Sequence, residues 1–251
     1  MDDVLIFSAC TTAAGTFALR YLKEAGVSVT HDPTPEVSHL LLDVPSFSGV
    51  HQLRDGTDPK GVLDALPQGI RIIGGNLRNS LLEDYQTIDL LTDGDYLAEN
   101  AAITADCAVR VAAPLLKSTF RNTRTLVIGW GRIGKCLARL LQHLDCQVTV
   151  AARKPQDRAI LQALGYTAID TAEPEALSKY GLIYNTVPEI ICQQEVCPDW
   201  GSGVKIDLAS RQGLIGSDVV WARGLPGIHT PESSGTLIAK TILHYIKEEH
   251  R

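Results

Sequence analysis

Three glycines in the middle of the chain have the spacing of a phosphate-binding turn. They occupy the first, third and sixth positions of Gly129–Gly134, after the β-rich run Thr125–Ile128 and before an amphipathic run that extends to Leu144. In a dinucleotide-binding βαβ unit, this order of strand, glycine turn and helix presents free backbone amides and a helix dipole to a pyrophosphate. We therefore predict a dinucleotide site here rather than a purely structural turn. Its expected contacts are Gly129, Trp130, Gly131, Arg132, Ile133 and Gly134.

The end of the next strand indicates which dinucleotide is bound. Val148–Ala151 is the predicted strand, and proteins that select NAD place an acidic residue where such a strand ends. Here Ala152 is followed by Arg153 and Lys154, and the Arg153 guanidinium could pair with a 2′-phosphate. We predict NADP as the cofactor, with NAD as the alternative. An ordinary solvated turn is the structural alternative for Arg153 and Lys154.

Two later segments are predicted strands that end in polar turns, Leu182–Pro188 and Lys205–Ser210. Open α/β sheets place ligands at the carboxyl ends of parallel strands, so both turns are expected on the side of the glycine turn. Two roles are open for Asp207, a cap of its own turn and a position near the nicotinamide. The expected cofactor contacts in these turns are Asn185, Thr186, Val187, Pro188, Asp207, Ala209 and Ser210.

Short apolar runs alternate with amphipathic stretches along the chain, and this pattern predicts the alternating strands and helices of an α/β protein. The predicted organisation is a small α/β substrate domain over 1–95, a connecting helix over 96–117, a dinucleotide-binding domain over 118–230 and a C-terminal helix over 231–251. That last helix can return to the first domain. The helical run of the connecting segment is predicted at Tyr96–Leu116. Pro45–Asp58 and Gly224–Pro231 are predicted loops.

Composition excludes several functional classes. The 251 residues are 45% hydrophobic and have a formal net charge of -6, so we expect no nucleic-acid partner and no affinity for anionic membranes. No apolar run reaches the ~18 to 20 residues that span a bilayer. The six cysteines are scattered without Cys-x-x-Cys pairs. They indicate free thiols in the cytoplasm, and we predict no metal site.

Several segments from residue 89 onward resemble the D-2-hydroxyacid dehydrogenase superfamily and, within it, the family of the dipicolinate synthase A-subunit. The runs Asp207–Ser210 and Leu225–Ile228 are more particular to that family than the glycine turn is. The other similar segments are Asp89–Leu91, Asn100–Ala101, Thr104–Ala108, Gly129–Gly134 and Ala152–Arg153. The resemblance implies a Rossmann domain with a doubly wound parallel sheet, plus a smaller flavodoxin-like α/β domain.

The same resemblance implies an activity. A dihydrodipicolinate-type cyclic dicarboxylate would be oxidised by NADP-linked hydride transfer, in a homo-oligomer that serves sporulation and works with a flavoprotein B-subunit. This sequence departs from the family pattern in two ways that bear on the identity of the substrate. The first strand leads into Ser8–Thr12, where the family has a Gly-Gly-Asp-x-Arg loop, and the chain is shorter than is usual in the family.

The wider superfamily uses an arginine, a carboxylate and a histidine in catalysis. By resemblance, Arg211 stands where the arginine is expected and could bind a substrate carboxylate through both nitrogens. Asp106 and His229 are the candidate bases, although Glu232 stands where the superfamily has its histidine. Oxidation to an aromatic ring needs only a weak base, because ring formation supplies driving force. The expected substrate contacts are Thr104, Arg78, Thr11 and Thr12.

Two other functions remain open from the sequence. One is a D-2-hydroxyacid dehydrogenase that uses Arg211 and His229. The other is a nucleotide-binding regulatory protein without chemistry of its own, which the altered segment Ser8–Thr12 favours. A regulator would bind NADP without reducing it, so a turnover assay separates these functions.

Overall fold

The structure is a computed structural model that describes residues 4–49, 52–172, 176–197 and 199–249. The chain divides into two compact units. Unit 1 consists of Met1–Asn100 with Pro226–Arg251, and unit 2 consists of Ala101–Leu225. Each contains a parallel sheet with helices, so the predicted α/β class is confirmed.

The secondary structure elements alternate along most of the chain. The strands are β1 (Leu5–Ser8), β2 (Ser28–Thr30), β3 (His39–Leu41), β4 (Phe47–Gly49), β5 (Gln52–Leu53), β6 (Arg71–Gly74), β7 (Gln86–Asp89), β8 (Arg124–Ile128), β9 (Gln147–Ala151), β10 (Thr167–Ile169), β11 (Leu182–Asn185), β12 (Cys192–Gln193), β13 (Val204–Asp207), β14 (Leu214–Ile215) and β15 (Val219–Trp221). The helices are α1 (Ala13–Glu24), α2 (Pro59–Asp64), α3 (Gly94–Ala112), α4 (Arg132–His143), α5 (Pro155–Ala163), α6 (Leu225–His229) and α7 (Pro231–Glu249).

Unit 1 is built on a five-stranded parallel sheet in the order β2-β1-β3-β6-β7. Numbered along this sheet, the order is 2-1-3-4-5, which is flavodoxin-like. Helices α1 and α7 pack on each other beside it. Gly235 allows their close approach, because a Cβ there would lie 2.6 Å from the Phe17 Cβ and 2.8 Å from the Ala18 nitrogen. The shared core includes Leu22, Ile238 and Ile242, all nearly fully buried.

Unit 2 is built on a six-stranded parallel sheet in the order β10-β9-β8-β11-β13-β15. Numbered along the sheet this is 3-2-1-4-5-6, the order of a Rossmann domain. Strands β8 and β11 are almost wholly buried because helices and loops cover both faces of a parallel sheet. Helix α4 buries Leu137, Ala138 and Leu141 in the core. The strand order reverses between β8 and β11, and this is where such sheets bind ligands.

Three local predictions differ from the structure. The predicted loop Gly224–Pro231 contains helix α6, since Pro226 is tolerated in a first helical turn. The predicted loop Pro45–Asp58 contains the pair β4 and β5, in which Phe47 lies opposite Leu53. Helix α3 ends at Ala112 instead of Leu116, because Pro114 cannot continue a helix and disfavours helical geometry in the residue before it.

Helix α3 also begins two residues earlier than predicted. Asp93 Oδ1 accepts a hydrogen bond of 2.7 Å from the Tyr96 amide and caps the helix start. Within the described ranges, no helix has the length and apolarity that crossing a membrane requires.

Candidate functional site

The glycine turn joins β8 to α4 by a very close approach of backbone segments. Gly129 has φ +105°, a left-handed conformation that glycine adopts without steric cost. A Cβ on Gly134 would collide with the Gly129 carbonyl, so α4 can lie against the strand only with glycine at this position. Thr186, which follows β11, donates its hydroxyl and its amide to the Ile128 carbonyl, each at 2.9 Å. These contacts fix the turn against the sheet.

The N-terminus of α4 fits an anionic ligand. Gly131 is its N-cap residue, and no side chain caps the helix there. A Cβ on Gly131 would meet nothing within 4 Å, so the space in front of the first helical amides is open. Uncapped amides at a helix N-terminus, together with the helix dipole, favour negative charge. This donor set suits the pyrophosphate of a dinucleotide.

A cavity of about 330 Å³ lies beside this turn. It is formed by the glycine turn, the residues after β9 and the residues after β11. Its lining residues are Gly129, Trp130, Gly131, Ala152, Arg153, Lys154, Asp157, Thr171, Val187, Pro188, Glu189 and Ile191. Seven predicted cofactor contacts therefore lie in its wall. The carboxyl ends of β8, β9 and β11 meet at one edge of the sheet, which is why residues distant in sequence converge here.

The residues after β9 give the cavity its charged side. Arg153 and Lys154 are exposed, and Ala152 separates them from the strand. Arg158 holds this segment, because its Nη1 donates to the carbonyls of Ala152 and Arg153, each at 2.8 Å. The same Nη1 lies 2.8 Å from a carboxylate oxygen of Asp170. The backbone around Arg153 is thus held in place while its side chain remains exposed.

Trp130 forms an aromatic part of the wall. Its ring meets Tyr166 edge to face with centroids 5.9 Å apart, a favoured geometry for aromatic pairs. Lys135 Nζ lies 5.7 Å from the centroid of the Trp130 ring, within range of a cation–π interaction. The indole is therefore held from two sides next to the cavity.

Asp207 organises the polar turns at the ends of β11 and β13. It is fully buried, and its carboxylate accepts four hydrogen bonds. The donors are Ala209 N at 2.9 Å, Asn185 Nδ2 at 2.9 Å, Gly213 N at 2.7 Å and Leu214 N at 2.8 Å. Asp207 thus caps its own turn. Asn185 in turn exchanges hydrogen bonds with the backbone of Val187, which lines the cavity.

Replacing Asp207 with alanine is expected to lower the free energy of unfolding by about 2–4 kcal/mol, because buried donors lose their acceptor. Thermal and urea unfolding measure this loss. Asp199→Ala is the control, since the Asp199 side chain is exposed. Equal stability of the two variants would contradict the organising role of Asp207.

Comparison with known proteins agrees with this geometry. Residues 100–189 match the family of the D-isomer specific 2-hydroxyacid dehydrogenase, NAD binding domain. The dipicolinate synthase A-subunit of Bacillus subtilis (strain 168) is 28% identical over 204 residues, which cover 74% of this chain and 68% of the relative. The predicted resemblance to the dipicolinate synthase A-subunit is therefore confirmed. The match also indicates a nicotinamide dinucleotide as the cofactor class and supports an oxidoreductase.

Two solved structures show the same fold. The dipicolinate synthase A-subunit from Bacillus subtilis has a TM-score of 0.81 at 21% identity, covering 99% of this chain and 98% of that chain. Its counterpart from Bacillus halodurans has a TM-score of 0.80 at 20% identity, covering 96% of each chain. The predicted combination of a Rossmann domain and a smaller flavodoxin-like domain is confirmed.

The other predicted residues of unit 2 have varied surroundings. Ser210 and Arg211 are exposed after β13, and among the described residues Arg211 forms no ion pair. Asp106 pairs with Arg110 on the next turn of α3, with 2.8 Å between Oδ2 and Nε. Thr104 is buried on the same helix. Arg132, Ile133, Gly134, Asn185, Thr186, Asp207, Ala209 and Ser210 are predicted cofactor contacts outside the lining of the cavity.

Unit 1 contains the remaining predicted residues. Thr11 and Thr12 lie directly before α1, and their side chains and amides all donate to the buried carboxylate of Asp43, which follows β3. Four donors that the sequence assigned to a substrate are thus occupied by the protein itself. Arg78 is exposed and lines a separate cavity of about 750 Å³. His229 is exposed at the end of α6.

Burial next to Asp43 also keeps the Cys10 thiol protonated. Removal from water and the nearby Asp43 charge raise the pKa of the Cys10 thiol to about 12. The segment after β1 therefore presents a protonated thiol and two threonines bound to a carboxylate. Sequence reasoning missed Asp43, because nothing in the local pattern links it to Thr11 and Thr12.

The sequence also missed two carboxylates in the wall of the dinucleotide cavity. Asp157 lies in the first turn of α5, and Glu189 follows Pro188. Their formal charges balance those of Arg153 and Lys154. For Asp157 the available signal was its position, since α5 begins at Pro155, only four residues after β9 ends at Ala151.

Proposed function

We propose that this chain is an NADP-dependent oxidoreductase that converts a dihydrodipicolinate-type cyclic dicarboxylate to pyridine-2,6-dicarboxylate. The observation that carries this proposal is the cavity beside the glycine turn, with an uncapped helix N-terminus and the exposed cations Arg153 and Lys154. The similarity to the dipicolinate synthase A-subunit supports the substrate class. The bound dinucleotide would supply the acceptor for a hydride.

The preference for NADP rests on the end of β9. Ala152 occupies the place after the strand where a carboxylate would bind the ribose hydroxyls of NAD. Arg153 is charged, exposed and held by a fixed backbone, so its guanidinium can form two charge-assisted hydrogen bonds to a 2′-phosphate. Lys154 adds a second positive charge to the same wall.

The remaining roles are assigned by charge and chemistry. Arg211 would bind a carboxylate of the substrate. The further proposed contacts of the substrate are Thr104, Arg78, Thr11 and Thr12. In unit 1, Thr11 and Thr12 would have to exchange Asp43 for the substrate. Asp106 and His229 are the two proposed proton acceptors.

Single replacements separate those two acceptors. Asp106→Asn and His229→Gln each remove one candidate base while preserving its size. If one of these residues is the base that the reaction uses, the pH profile of kcat/KM loses its acidic limb in the variant without that residue. A profile unchanged in both variants would refute both assignments.

The proposed setting follows the relative. The similarity to the dipicolinate synthase A-subunit supports a partner subunit, and a flavoprotein B-subunit is the proposed partner. A homo-oligomeric state, a cytoplasmic location and a place in sporulation are proposed with it. Sedimentation of the chain alone and with a candidate flavoprotein tests the first two. A monomer that binds no flavoprotein would refute them.

Turnover assays test the proposed function directly. The full chain is mixed with enzymatically generated dihydrodipicolinate and either NADP or NAD, and formation of the reduced nicotinamide is followed by absorbance. We expect turnover with NADP and a lower kcat/KM with NAD. Binding of NADP without turnover on any substrate would indicate the regulatory alternative instead.

Oxidation of D-2-hydroxyacids is the second candidate function. The family match over residues 100–189 favours it, and Arg211 with His229 would then act on the hydroxyacid. The same assay with D-lactate and related acids decides between the two functions. Turnover on these acids alone would overturn the assignment to a cyclic dicarboxylate.

Replacing Arg211 with lysine is expected to lower kcat/KM about tenfold or more, because lysine keeps the charge and loses the planar fork that binds a carboxylate. NADP affinity and Tm should stay unchanged. Arg121→Lys is the matched control, since Arg121 is exposed and lies just before β8, at the opposite end of that strand from the glycine turn. Normal kinetics in Arg211→Lys would show that the substrate carboxylate binds elsewhere.

A further inference from the structure

Two cysteines flank a turn in unit 2. Cys192 lies on β12, and Cys197 follows a turn in which the Val196 amide donates to the Gln193 carbonyl at 3.1 Å. Such a turn reverses the chain and brings the residues on either side of it near one another. Both cysteines are half-buried and pack against the same apolar cluster.

The two thiols interact directly. Burial and the hydrogen bond with the Cys197 thiol raise the pKa of Cys192 to about 11. Cys192 therefore keeps its proton near neutral pH and donates it toward Cys197. The thiolate is the reactive form of cysteine, so burial makes Cys192 a slow nucleophile.

We propose that Cys192 and Cys197 form a redox modification site, which closes to a reversible disulfide by exchange with a small-molecule disulfide such as glutathione disulfide. The turn between them is open to such a reagent, since Val196 is 75% exposed. The resulting ring would contain only the residues from Cys192 to Cys197.

The exchange is balanced in two steps. One of the two cysteines loses its proton to solvent and attacks one sulfur of glutathione disulfide, which forms a mixed disulfide and releases one glutathione thiolate. The other cysteine then loses its proton to solvent, attacks the protein sulfur of the mixed disulfide and releases the second glutathione. Two protein thiols are oxidised to one disulfide bond, and one glutathione disulfide is reduced to two glutathione molecules.

The position of the pair links it to the dinucleotide cavity. Ile191, directly before Cys192, lines that cavity. The amides of Ile191 and Cys192 both donate to the Gly213 carbonyl, at 2.8 and 3.3 Å, and the Gly213 amide donates to Asp207. A disulfide would thus constrain a segment that is tied both to the cavity wall and to the buried carboxylate behind it.

Peptide mapping tests the site in the full chain. The protein is incubated with glutathione disulfide, quenched with acid, alkylated and digested without reductant. We expect the free thiols to fall from six to four, with one disulfide joining Cys192 to Cys197 and full recovery after dithiothreitol. Six free thiols at every glutathione disulfide concentration would overturn the proposal, as would a disulfide between other cysteines.

Two variants test the intramolecular step. Cys192→Ser and Cys197→Ser should each stop at a mixed disulfide with glutathione on the remaining cysteine, because the second thiol is missing. Cys136→Ser is the control and should still form the disulfide, because Cys136 lies on α4 and outside the turn between Cys192 and Cys197. A disulfide within the chain of either Cys192→Ser or Cys197→Ser would refute the pair. These readouts need no dinucleotide or substrate, so their outcome is independent of the proposed oxidoreductase activity.

Discussion

Gly131→Val is expected to weaken NADP binding by a factor between about 100 and 20,000, while the protein still folds. The valine side chain would occupy the open space before the first amides of α4 and keep the pyrophosphate away from them. Loss of two charge-assisted hydrogen bonds costs about 3–6 kcal/mol, which corresponds to that range of affinity.

The fold should tolerate this change for two reasons. Gly131 has φ −80° and ψ −170°, an extended conformation open to any residue, and a Cβ there meets no neighbour within 4 Å. Calorimetric titration with NADP gives the affinity, and thermal unfolding gives the Tm. Gly61→Val is the matched control, because Gly61 is equally open but lies on α2 of unit 1. NADP affinity retained in a folded Gly131→Val protein would refute the site.

Arg153→Ala is expected to abolish the preference for NADP over NAD. The arginine contact with the 2′-phosphate contributes about 1.5–3 kcal/mol, so NADP affinity should fall about ten- to a hundredfold. NAD affinity should change little, since NAD lacks that phosphate. The difference should also shrink at high ionic strength, because salt screens a contact between exposed charges.

Calorimetry with both dinucleotides measures the ratio of affinities before and after the change. Arg121→Ala serves as the control for loss of one exposed positive charge, since its side chain is 76% exposed and lies before β8. If the ratio of NADP affinity to NAD affinity is the same in the Arg153→Ala protein and the unmodified chain, Arg153 does not bind the 2′-phosphate. NADP selection would then have to come from Lys154 or from a charge outside this wall.

The glycine turn and its flanking elements were predictable because they are local. The strand β8, the turn and α4 follow one another without interruption, and Gly129 and Gly134 each have a separate steric reason at their own positions. The apolar runs of the parallel strands and the stripe on α4 were predictable on the same basis, since period and composition depend on near neighbours. The Rossmann and flavodoxin-like classes followed from that alternation and from the family resemblance.

Errors at element ends arose where two local tendencies compete. The segment Gly224–Pro231, which contains Pro226, is predicted as a loop, yet proline also suits the first turn of α6. The alanine-rich run favoured a longer α3, but Pro114 ended it. In both places the outcome depends on a single proline and its position within one turn.

The sequence by itself determined the dinucleotide turn, the cations at the end of β9 and the α/β class of both units. Only the tertiary structure decided that Asp43 occupies the donors of Thr11 and Thr12, and that Asp207 ties together the turns after β11 and β13. Only the tertiary structure brought Asp157 and Glu189 into the cavity wall. For Asp43 and Asp207 the physical reason is that a buried carboxylate must find hydrogen-bond donors wherever the packed chain brings them. Those donors belong to segments that meet only when the parallel strands align in the sheet.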